Sequence, residues 1–117
     1  MLISFCSLGA FSQTQIAAAD ASKHIGDSVI IIEKVYSAKA FDNGMILLNL
    51  GGSYPNHLLV VMIEPKAKAL FKYAPEQELK DKKISVTGKL IDYKGKPEIV
   101  VHDPKQIVQL YILINTK

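Results

Sequence analysis

The chain has 117 residues, a formal net charge of +3, and 49% hydrophobic against 21% charged residues. That length holds one hydrophobic core, and that balance excludes an intrinsically disordered chain. All 14 basic residues are lysine. Without arginine, the chain argues against a tight, base-specific reader built on bidentate contacts to guanine, but lysines still supply mobile point charges for a phosphate.

Leu2 to Phe11 is an unbroken apolar and small-residue stretch of signal-peptide length, and Ala10 and Ser12 stand at the −3 and −1 positions before Gln13. No basic residue precedes it, so the competing reading is a buried strand. We expect a signal peptide at residues 1–12, and hence export to the periplasm or the medium. Phe5 before Cys6 is too bulky for a lipoprotein cleavage site. Cys6 is the sole cysteine, so it forms neither an internal disulfide nor a metal site by itself. No later stretch approaches the roughly 20 apolar residues that span a bilayer. Residues 13–26 form an Ala-rich lead-in, with 17–19 able to start a short helix and the whole expected to pack lightly or fray. The domain proper is 27–117, including an apolar C-terminal tail.

Asp27 to Ala38 is the first expected strand, with Val29, Ile31 and Val35 on one parity. Glu33 interrupts that parity, as a bend, a bulge or a site residue would. Phe41-Asp42-Asn43-Gly44 is a turn carrying an Asn-Gly signal. Met45 to Leu50 and Leu58 to Ile63 are the next strands, separated by the breaker loop Gly51-Gly52-Ser53-Tyr54-Pro55-Asn56. From Pro65, the spacing of Ala67, Leu70 and Phe71 predicts a short amphipathic helix that Pro75 stops, with a further turn around Glu76 to Leu79. Ile84, Val86 and Leu90 then alternate with Ser85, Thr87 and Lys89, and Lys94-Gly95-Lys96-Pro97 turns the chain into a second strand ending at His102. Beyond Asp103-Pro104, the run from Ile107 to Ile114 is too apolar to leave in water. It reads either as an edge strand or as a helical turn followed by a strand.

Three strands, a helix and two strands is the order of the OB-fold, a five-stranded Greek-key barrel with a short helix between strands three and four. Leu48-Asn49-Leu50-Gly51-Gly52, Tyr54-Pro55-Asn56, Ile84-Ser85-Val86-Thr87-Gly88-Lys89, Tyr93-Lys94-Gly95-Lys96-Pro97 and Asp103-Pro104 carry a family likeness. From His24 to Ile107 the chain resembles small bacterial OB-fold domains of the nucleic-acid-binding, anticodon-binding type, in an exported, stand-alone form. Glu33 stands where such domains often carry glycine in the first strand. A carboxylate there would repel phosphate if it faced the groove.

The resemblance implies non-catalytic, weak and largely sequence-independent binding of single-stranded DNA or RNA. Lysines would attract phosphates, and aromatic rings would stack on bases. The expected site is the face of strands two and three with its bordering loops. It comprises Tyr36, Lys39 and Phe41, then Asn49 and Tyr54, then Lys89, Tyr93, Lys94 and Lys96. The other reading is an envelope module that binds a protein or glycan through the same face, with no nucleic-acid role. Against both stands a plain one, in which the rings close the barrel, the lysines solubilise it, and Asn49 holds a turn. The spacing of His24, His57 and His102 matches no metal motif. No nucleophile elbow, phosphate-cradling glycine loop or HExxH is present. We therefore expect no catalysis, metal or cofactor.

Overall fold

The computed structural model describes residues 13–111, so the expected signal peptide and the last residues of the tail lie outside the described part. The strands are β1 (Thr14–Ile16), β2 (Ser28–Ala40), β3 (Ile46–Leu50), β4 (Leu59–Ile63), β5 (Lys83–Tyr93), β6 (Lys96–Val101) and β7 (Ile107–Gln109). Two one-turn helices, α1 (Pro65–Lys68) and α2 (Pro75–Glu78), lie between β4 and β5. Among the described residues no helix is long and apolar enough to cross a membrane.

The alternating apolar residues of β3 and β4 send Ile46, Leu48, Leu50, Leu59, Val61 and Ile63 inward, each with no exposed surface. Their intervening neighbours are half-buried on the outer face. β2 and β5 are long enough to change partners along their length. The first half of β2 runs antiparallel to β5, from Ser28 opposite Lys89 to Lys34 opposite Lys83. Its second half pairs with β3. β5 pairs with β6 beyond Leu90. β6 runs parallel to β4, and β4 pairs with β3, so β2, β3, β4, β6 and β5 form a closed ring. This is an OB-fold barrel, as the element order predicts.

The hairpin between β5 and β6 has a two-residue loop, Lys94-Gly95, with φ of 51° and 89°. Two consecutive positive φ values match the right-handed twist of the flanking strands, and glycine takes one of them without steric cost. The turn before β3 closes as its sequence suggests, with the Gly44 amide donating to the Phe41 carbonyl and the Met45 amide to Asn43 Oδ1.

Three elements differ from the sequence expectation. The lead-in is tied down rather than frayed. β1 pairs in parallel with β2, and a 3-10 turn, Ala18–His24, sits against β2, β5 and β6 with Ala18 and Ala21 buried. The helix after Pro65 ends at Lys68, so Leu70 is 59% exposed instead of facing the core. The apolar plug comes from the next turn: α2 packs on β2 and β3, and Leu79 behind it is fully buried. Finally, the bulge is not at Glu33, which pairs with Ile84 and accepts a hydrogen bond from the Lys34 amide. It falls at Tyr36, between the pairs Val35–Leu50 and Ser37–Asn49.

At the C-terminal end a 3-10 turn, Pro104–Gln106, leads into β7, which pairs with the first half of β5. Asp103 caps that turn. Gln106 Oε1 accepts from the amides of His102 and Asp103, and Gln106 Nε2 donates to the carbonyls of Thr87 and Val100. Thr87 is on β5 and Val100 on β6, so one amide bridges the two strands where their own pairing has stopped.

Candidate functional site

The outer face of the barrel carries an open cleft of about 980 Å³. Strand register explains its floor. Ser37, Asn49, Val60 and Glu98 are successive partners across β2, β3, β4 and β6. Lys39, Leu47 and Met62 form the next rung. The bulge at Tyr36 makes this possible. Val35 points into the core, and in a regular strand of the same sequence Ser37 and Lys39 would follow it inward. With the bulge they turn outward, and Asn49 Nδ2 donates to Ser37 Oγ at 3.0 Å.

Two segments wall the cleft. From the loop before β4, Tyr54 stands 74% exposed and stacks on His57, with ring centroids 5.6 Å apart and planes at 27°. From the hairpin, Tyr93 is 54% exposed, and Lys94 Nζ lies 5.2 Å from its ring centroid. Lys96 Nζ donates to the carbonyl oxygens of His57 at 2.7 Å and Pro55 at 3.3 Å. The two walls are thereby joined at one end.

Of the sequence-derived site residues, Lys39, Asn49, Tyr54, Tyr93, Lys94 and Lys96 all line this cleft. Tyr36, Phe41 and Lys89 do not. Tyr36 is the bulge residue and lies beneath Lys34 Nζ, while Lys89 pairs with Ser28 at the far end of β2. Phe41 follows β2 in the turn, with Lys39 Nζ 5.0 Å from its centroid. Glu33 is not among the lining residues, so its carboxylate does not oppose a ligand there.

Sequence reasoning missed Glu98 as a site residue and weighed His57 only as a metal ligand. Both line the cleft, 6% and 4% exposed. Burial raises the Glu98 carboxyl above its ordinary range. Burial, and then the positive charge of Lys96, lowers the His57 imidazole. A lone carboxylate within the apolar run of β6 was the available signal. The three histidines lie apart: His24 meets Asp27 at 3.1 Å and His102 meets Glu64 at 2.8 Å. Among the described residues no group of three or more histidine, cysteine or acidic side chains is placed to hold a metal.

No family model matches the chain, and no curated protein matches it. Solved structures do. An aspartyl-tRNA synthetase from Leishmania major Friedlin aligns over 90% of this chain with a TM-score of 0.61 and 16% identity. One from Entamoeba histolytica aligns over 96% with the same TM-score and 10% identity. This chain spans only 22% and 24% of those two proteins. OBody AM1L10, solved bound to hen egg-white lysozyme, aligns over 86% of this chain and 97% of its own, at 18% identity and a TM-score of 0.61. Likeness at such identities establishes the shared fold.

Proposed function

We propose that this barrel binds single-stranded nucleic acid, weakly and for the most part without regard to sequence. The observation that carries the reading is the pair of exposed tyrosines, Tyr54 and Tyr93, that line one largely apolar cleft together with Lys39 and Lys94. Bases stack on such rings for about 1–3 kcal/mol each, and every base has a face to offer. Lysines at the rim attract the phosphates that run past. Two of the structurally similar proteins are named for tRNA, which is consistent with this use of the fold. Binding, not catalysis, is the proposed activity.

The test is fluorescence anisotropy of the full chain with labelled single-stranded DNA and RNA of mixed sequence, at low and at physiological salt. Affinity should fall with salt, with a log–log slope of about −0.7 per phosphate neutralised. Tyr93→Ala with Lys94→Ala should abolish it. Absence of binding at low salt would sink the reading. Salt-tolerant capture of a protein or glycan would then point to the alternative use of the same face.

A further inference from the structure

The cleft floor holds two polar side chains that the protein leaves unpartnered. Glu98 and His57 are each more than nine-tenths buried and both line the cleft. Among the described residues His57 Nδ1 has no hydrogen-bond partner, and no salt bridge reaches the Glu98 carboxylate. Lys96 is the cation expected to answer that carboxylate, but its ammonium is committed to the carbonyls of Pro55 and His57. Glu98 sits between Val60 and Ile91 in the cross-strand rung, so the acceptor is set into an apolar surface. The Glu98 oxygens are not among the buried unpartnered atoms and so keep water at the cleft surface; a ligand that covers them must supply a donor in water's place.

We propose that Glu98 reads the base lying over the centre of the cleft, favouring bases that carry an amino group over uracil. This rests on the single-strand reading above. A carboxylate accepts readily from the 4-amino group of cytosine. Uracil presents a carbonyl at the same ring position and would set oxygen against oxygen there; its own donor, N3–H, lies one ring position away and meets Glu98 only if the base shifts. Discrimination of this kind is strong because the wrong base leaves a buried polar group unpaired. The stacking walls and rim lysines are indifferent to the base, so the preference is confined to one position in the bound strand.

Oligocytidylate and oligouridylate of equal length isolate the effect, since the two bases have similar ring area and differ at the 4-position and N3. Labelled versions of each, titrated with the full chain at neutral pH and fixed salt, should show cytidylate binding about fivefold or more tighter. Glu98→Gln keeps the side-chain shape but can turn either its carbonyl or its amino group to the base. It should bring the ratio close to one, chiefly by strengthening uridylate. Equal, salt-dependent binding of both oligomers to the native chain would overturn the Glu98 assignment and leave the single-strand reading standing. So would a preference that survives Glu98→Gln. Failure of both oligomers to bind would overturn the two together.

Discussion

Lys96, the first residue of β6, donates to the main-chain carbonyl of His57 at 2.7 Å, 39 positions away in sequence. A side chain whose sequence context suggested a phosphate contact is thus spent on holding the neighbouring loop before β4. Lys96→Met keeps the aliphatic stem and removes the donor. Unfolding in urea should show a loss of about 1–2 kcal/mol. The same variant removes the positive charge that helps lower the His57 imidazole, so an NMR titration should find that imidazole moved up toward 6.5. An unchanged His57 titration would contradict the contact.

Glu98 and His57 impose opposite pH dependences on stability. The folded-state carboxyl of Glu98 is raised above its ordinary 4.5. Below that value both folded and unfolded chains hold the proton, and Glu98 carries no penalty. As pH rises through the raised value, the folded state retains a proton that the unfolded state has released, and stability falls. Glu98→Gln should therefore raise the urea midpoint at neutral pH and have little effect in acid. His57 is lowered, so the stability it contributes is complete above 6.5 and is lost as pH falls through the folded value. His57→Gln should flatten that acid limb. A drop in midpoint for Glu98→Gln at neutral pH would contradict the assignment.

Gly88 occupies the point where β5 passes from β2 to β6. A methyl group there would fall 2.6 Å from Ile99 Cγ2 and 3.2 Å from Gln106 Nε2. Ile99 is fully buried and has no free direction in which to move. Gly88→Ala should cost about 1–3 kcal/mol through overpacking, read from the thermal or urea midpoint. Gly95→Ala is the contrast, because open space surrounds that position and only its positive φ resists the change. Its cost should be near 1 kcal/mol.

Gln106 makes four hydrogen bonds to main-chain groups. Gln106→Ala should destabilise the chain by about 2–4 kcal/mol, since it orphans several groups together. Gln106→Glu tests the direction of two of those bonds. It presents oxygen to the Thr87 and Val100 carbonyls, so at neutral pH it should be at least as damaging as alanine despite its matching shape. Faster amide exchange along β7 would locate the loss.

Strong local alternation made the barrel legible. Ile46 to Leu50 and Leu59 to Ile63 alternate in burial, and Lys94-Gly95 announces its turn. The walls of the cleft were equally legible, because Tyr54 and Tyr93 sit beside turn residues that keep them in solvent. What escaped had no local signature. Thr14–Ile16 is too short for a period to register, and its place beside β2 depends on residues later in the chain. Leu70 and Leu79 look alike in sequence; only the length of a one-turn helix decides which is buried. Glu98 lies among apolar neighbours on both sides. Its role emerges once β4 and β5 are set beside it, since the cleft is assembled from strands distant in sequence.

The extra residue at Tyr36 makes the first barrel strand tolerant of a change in length at one place. Upstream of it odd-numbered side chains point into the core, and downstream the even-numbered Ala38 does. Deleting Tyr36 would restore plain alternation, with Val35 and Ala38 still inward and Ser37 and Lys39 still outward. Deletion at 36 should therefore keep the floor of the cleft, at the cost of the local twist the bulge adds. Related chains that keep this cleft should vary in the identity of residue 36 and in whether a residue stands there at all.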